Sequence, residues 1–157
     1  GSEVYIVGSG LATDTLSLAR RKSLLEIKAG RLAAESAYKQ AGITAKDIDF
    51  AEVHDCFSIA EIYAVESLGI AKQGEAAQLY ASKQTYFDSK KPINTSGGLK
   101  ACGHPVAATG VKQAVEAVMQ LRGEAGKRQV KGATIGVTHN VGGSGGTACV
   151  HVFKKMK

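Results

Sequence analysis

Tryptophan is absent from this 157-residue chain, and aromatic residues make up only 6% of it. That weighs against a nucleic-acid surface, where aromatics interleave with basic side chains to stack on bases. There is no CxxC pair, and the three cysteines, Cys56, Cys102 and Cys149, are an odd number, so neither a disulfide framework nor a metal site is indicated. A reducing cytoplasm is the expected setting. No apolar run approaches the roughly 20 residues a membrane helix needs, and no signal peptide opens the chain. It begins Gly1-Ser2 without Met, which reads as a remnant of tag removal. Internal repeats and low-complexity tracts are missing too. What remains, 44% hydrophobic and 22% charged residues, fits one globular domain over 3–157 with a core of its own.

Glycine is the surplus residue, at 19 of 157, against a usual share near 7%. Much of the excess lies in Gly97 to Gly110 and Gly142 to Gly146, and clustered glycine suggests backbone approaching a ligand. The formal charge of +6 is scattered, which suits an anionic substrate or simply a solvated face.

Read in order, Val4 to Val7 is a buried strand that leaves the sheet through Gly8-Ser9-Gly10. A capping-box pattern, Ser23 with Glu26, opens a helix whose Ala29, Ala33, Ala34, Ala37, Tyr38 and Ala41 share one side and which Gly42 stops. Ile48 to Val53 is the next strand. A second capping box, Ser58 with Glu61, starts an apolar helix expected to be covered on most sides. A short helix fits Gln73 to Ala81, and Pro92 to Thr95 reads as a third strand. A helix then starts at Pro105, with Val111, Ala114, Val115, Val118 and Leu121 at helical spacing. Ala133 to His139 and Thr147 to Phe153 close the chain as an antiparallel pair. The order β-α-β-α-β-α-β-β predicts an α/β domain with a mixed five-stranded sheet and helices packed on it.

Three places could carry chemistry, each just after a strand. His54 and Cys56 lie between a strand end and a helix start, where open α/β sheets put ligands and where a thiol tends towards the thiolate. His104 lies beside glycines and just before Pro105; a neutral imidazole near a helix N-terminus is suited to general-base work. The Gly142 to Gly146 loop could offer backbone donors. Each has a plain structural reading as well: a core thiol, a strand-end or capping histidine, a flexible hairpin. Cys102, Cys149 and His151 read as packing residues.

Taken together and in order, EVHDCF, SGGLKACGHPVAATG and HNVGGSGG resemble the C-terminal half of a thiolase, specifically the archaeal and sterol-carrier-protein-type thiolases with HDCF in place of NEAF. The resemblance spans nearly the whole chain, and it implies acyl transfer between acyl-CoA and acetyl-CoA, with coenzyme A thioesters as substrates and no resident cofactor. It implies that His104 activates a nucleophilic cysteine and that His54 shares an oxyanion site with it, directly or through a water. Asn140 stands where typical thiolases carry a second cysteine, so Cys56 becomes the acid/base candidate. The Gly142 N–H serves a second oxyanion site, with Gly98, Gly143 and Asn140 against the substrate. The nucleophilic cysteine belongs to an N-terminal half that this chain does not contain, so the chain alone is expected to be inactive and its bare apolar face to self-associate. The same resemblance implies a homo-oligomer, and partnership with a hydroxymethylglutaryl-CoA synthase and a small zinc-ribbon/OB-fold protein. Two other readings stay open: a ketoacyl-synthase-like condensing enzyme, because EVHDC and GHPVAATG are similar to that relative's ExHGT and GHxxGAAG patterns, and a non-catalytic acyl-CoA- or lipid-binding scaffold.

Overall fold

The structure, a computed structural model, describes residues 2–156. Strands β1 (Val4–Thr13), β2 (Phe50–Val53), β3 (Ile135–Gly142) and β4 (Thr147–Lys155) form one mixed sheet in the order β1-β4-β3-β2. β4 runs antiparallel to both neighbours, and β2 runs parallel to β3. Helices α1 (Lys28–Ala41) and α2 (Ser58–Ser67) cover one face, and α5 (Thr109–Arg122) stands on the other. The short helices α3 (Ala76–Ala81) and α4 (Gly98–Cys102) lie in the connections.

Alternation along the strands sorts the side chains. Ala148, Val150 and Val152 of β4 and Ala51 and Val53 of β2 join the alanine face of α1 in the larger core. Phe50 and Phe153, pointing the other way, pack with Ala117 and Leu121 of α5. Gly42 ends α1 in the left-handed conformation at φ 65°, as its position in the sequence predicts.

The first strand is longer than expected. Gly8-Ser9-Gly10 does not turn the chain out of the sheet; β1 continues to Thr13, with an irregularity between Ile6 and Gly8. The glycines serve helix approach. A Cβ on Gly8 would lie 2.2 Å from the carbonyl oxygen of Ala37, and one on Gly10 2.0 Å from that of Ala33. The small-residue face of α1 and the two glycines are thus two halves of one close contact.

The predicted strand at Pro92 to Thr95 shrinks to a single parallel bridge, Ala51 with Ile93, so the sheet has four strands. Asn94 ends it by turning left-handed at φ 52°, and its side-chain oxygen accepts the Val53 N–H at 2.7 Å in place of a ladder bond. Neither capping box forms. Ser23 Oγ accepts the Leu25 N–H and Glu26 pairs with Arg31, so α1 starts later, at Lys28. Glu61 instead accepts from the Asn94 side chain at 3.1 Å. The helix after Pro105 begins only at Thr109, because Ala107 at φ 70° interrupts the run. The expected apolar face is core in part: Leu121 is buried with Ala114 and Val118 packed beside it, but Val111 and Val115 are 65% and 53% exposed, and Thr109, Gln113, Glu116 and Gln120 are buried instead. In α2, Val65 is buried but Ile59 is exposed, as is Phe57 before it.

Candidate active site

α5 packs on β2 and β3 and on Phe153 near the end of β4. Beyond it, over Cys149 and His151 of β4 and Ile6 of β1, that face is open and forms a cavity of about 1030 Å³. Three chain segments bring polar groups to it: His54 and Cys56 after β2, His104 between α4 and α5, and Asn140, Gly142 and Gly143 at the end of β3. Its walls are apolar, with Val106, Val111 and Ala114 on one side and Ile6 and Phe153 on another. Of the expected site residues only Gly98 does not line the cavity. It lies under the Asp55 carboxylate, where a Cβ would come within 2.3 Å of Oδ2.

The two histidines meet. Their rings are perpendicular, at 88°, with centroids 4.8 Å apart. His54 is held through Nδ1 to Asn140 Oδ1 at 2.7 Å. His104 is held through Nδ1 to Thr109 Oγ1 at 2.7 Å, and that hydroxyl lies 3.3 Å from the Pro105 carbonyl oxygen. A hydroxyl can donate or accept, so this contact fits either tautomer of His104; when the hydroxyl gives its proton to the carbonyl it accepts from His104 Nδ1, and Nε2 is then the free base. Burial holds the His54 imidazole below its ordinary range, and His104 beside it acts in the same direction against the Asn140 bond. A pair of imidazoles facing an apolar cavity can take a proton or hold a polar oxygen.

Asp55 ties the segments together. Its buried carboxylate accepts the Leu99 N–H at 2.7 Å and the Lys100 N–H at 3.4 Å, both at the start of α4. α4 ends at Gly103, immediately before His104, so Asp55 sets where His54 and His104 stand relative to each other. Below them Glu52, almost fully buried and pushed up from the ordinary carboxyl range by that burial, accepts from Thr95 and Ser96. Among the described residues no group of three His, Cys, Asp or Glu could hold a metal ion.

Sequence reasoning missed Asp55, Thr109 and Gln113. Asp55 lies within the quoted HDCF, and Thr109 and Gln113 are four apart on α5, the spacing that aligns them on one face. The packing roles expected for three residues also change. Cys102 is exposed, its thiol 3.1 Å from the Ser96 carbonyl oxygen. Cys149 and His151 line the cavity, because alternation puts 148, 150 and 152 in the core and the odd positions opposite. Burial raises the Cys149 thiol and lowers the His151 imidazole, leaving both neutral.

The family described as "Thiolase C-terminal domain-like" matches residues 10–155. Acetyl-CoA acetyltransferase of Methanothermobacter thermautotrophicus is 53% identical over 152 residues, 97% of this chain and 40% of that protein. Human sterol carrier protein 2 is 41% identical over 154 residues, 96% of this chain and 28% of that protein. The chain thus spans about 40% or less of the length of these relatives. Among solved structures, the Ltp2-ChsH2(DUF35) aldolase superposes with a TM-score of 0.86 at 22% identity, over 98% of this chain and 40% of that one. A monomeric SCP2-thiolase like protein type 1 from Mycobacterium smegmatis gives 0.72 at 18% identity, over 98% and 29%. At these identities the structures bear on fold alone.

Proposed function

The chain belongs to the thiolase C-terminal domain-like family, and from that premise we propose that it supplies half of the active site of an acetyl-CoA acetyltransferase-type enzyme. What supports this most is the pair of histidines 4.8 Å apart at the edge of a cavity that Cys56 also lines. In this reading a cysteine from the rest of the protein enters the open side of the cavity and becomes acylated. His104 Nε2 takes the proton of that thiol as its sulfur attacks the carbonyl of the first acyl-CoA. The oxyanion that develops lies against the His54–His104 pair, and coenzyme A leaves as the thiol with the proton that His104 returns. Cys56 removes the α-proton of a second acyl-CoA, whose carbanion attacks the acyl-cysteine carbonyl and releases the thiolate. The Gly142 N–H, with Gly143 beside it in the turn, holds the second thioester oxygen. Asn140 acts through His54, and Gly98 through Asp55. Such fixed donors are worth a factor of roughly a hundred or more in rate.

The exposed apolar residues around the cavity, Val106, Val111, Val115, Leu11 and Ile6, are in this reading the seat of the other half. Patches of that kind mark interfaces, which also favours self-association of the chain alone and a homo-oligomer of the complete protein. The free thiols fit a reducing cytoplasm. A hydroxymethylglutaryl-CoA synthase and a zinc-ribbon/OB-fold protein are the proposed partners, by family resemblance. The test is thiolysis of acetoacetyl-CoA by coenzyme A. The 157-residue chain should release no acetyl-CoA, and the complete protein should release it unless Cys56 is changed to Ala. Turnover by the chain alone, persisting in Cys56→Ala, would refute the proposal.

A further inference from the structure

His54 does not end at Asn140. The Asn140 amide nitrogen donates to Gln113 Oε1, and Gln113 Nε2 donates to the His139 backbone carbonyl at 3.3 Å. Gln113 is 1% exposed, on the buried face of α5 one turn after Thr109. The Asn140 amide is also wedged against the helix: a Cβ on Gly110 would lie 3.1 Å from its Nδ2.

The direction of this chain is set at its far end. A backbone carbonyl can only accept, so the Gln113 group facing it is the NH2, and the group facing Asn140 is the oxygen. That oxygen takes the Asn140 NH2, which turns Oδ1 towards His54. An oxygen there accepts, so His54 carries its proton on Nδ1. We infer that Gln113 is a positioning residue that fixes the tautomer of His54, so that the neutral ring presents an unprotonated Nε2 to the cavity. This rests on the acyl-transfer reading for its use and decides one point within it. A ring with no Nε2–H cannot donate to a thioester oxygen. His54 therefore acts through a water, which gives one O–H to Nε2 and the other to the oxygen, while Asn140 and Gln113 never touch the substrate.

The experiment is a long-range proton–nitrogen correlation spectrum of the 15N-labelled 157-residue chain, at a pH where His54 is neutral. In the wild type His54 should show Nδ1 protonated and Nε2 bare. In Gln113→Met the Asn140 amide loses its orientation, and the proton should move to Nε2 in a substantial fraction of molecules. In Gln113→Glu, whose carboxyl oxygen still accepts the Asn140 NH2, the wild-type tautomer should return. A role confined to packing would not be rescued in that way. A wild-type His54 protonated on Nε2 overturns the inference, whether or not Gln113→Met folds, and so does a folded Gln113→Met with an unchanged tautomer. None of these readouts requires acyl transfer. A bare Nε2 in a protein without thiolase activity would uphold the relay while removing the function proposed above.

Discussion

On one face of the sheet α1 lies so close to β1 that Gly8 and Gly10 have room only for hydrogen. On the other, α5 stands over β2 and β3 and leaves Ile6, Cys149 and His151 along an open cavity. The first face is finished: its core is mostly alanine and valine, and it buries His139 completely, with no protein group bonded to either ring nitrogen. The second face is half built. Its helix shows valines to solvent and turns glutamine, threonine and glutamate inward. The contrast separates two jobs. One face holds the fold together, and the other holds histidines in fixed orientations at the mouth of a cavity that another surface can close.

That separation can be broken from either side. The largest effect should come from Gly10→Ala, whose Cβ meets a backbone oxygen that cannot move without shifting α1. It should cost about 3 kcal/mol in urea unfolding. Leu11→Ser, next to it but pointing to the open side, should change stability by less than about 0.5 kcal/mol.

Acid should act first on the finished face. Burial lowers the His139 imidazole to about 4 from its ordinary 6.5, so between those values the unfolded chain binds a proton that the folded chain refuses. Stability present above pH 6.5 is lost as the pH falls towards 4, by about 3 kcal/mol from this group. His54 and His151, also lowered, add in the same direction. Unfolding free energies at about pH 7.5 and about pH 4.5 should therefore differ less in His139→Leu than in the wild type. Equal slopes would place the acid response elsewhere.

The smallest effect on stability, and the sharpest on association, should come from Val111→Ser with Val115→Ser. Both valines are exposed, so the pair should cost under about 1 kcal/mol. Light scattering should nevertheless show less self-association than in the wild type. Unchanged association would mean that the open face is not what makes copies adhere.

Much of this was readable in advance. The alanine spacing of α1, its Gly42 stop, the closing hairpin and the gathering of His54, Cys56, His104 and Asn140 all follow from pattern or from motif order. What was not readable depended on partners distant in sequence. Gly8 and Gly10 look like a turn until Ala33 and Ala37 lie on them. Ser23 and Ser58 look like caps, but no capping bond forms: Ser23 turns to Leu25 and Glu61 to Asn94. Val111 and Val115 of α5 have the spacing of a core face, yet the polar residues beside them are the buried ones, because Glu52, Thr95 and Asn140 lie beneath the helix. Gln113 shows the same limit: in the sequence it is one polar residue on a helix, and only the fold brings His139, Asn140 and His54 into line with it.

The most direct test of the central claim is the thiolysis rate of the complete protein with and without the His104 imidazole. His104→Ala should lower kcat by about 10²- to 10⁴-fold while leaving the unfolding midpoint of the 157-residue chain nearly unchanged, since His104 is exposed and held mainly by Thr109. Wild-type turnover in His104→Ala would contradict the account.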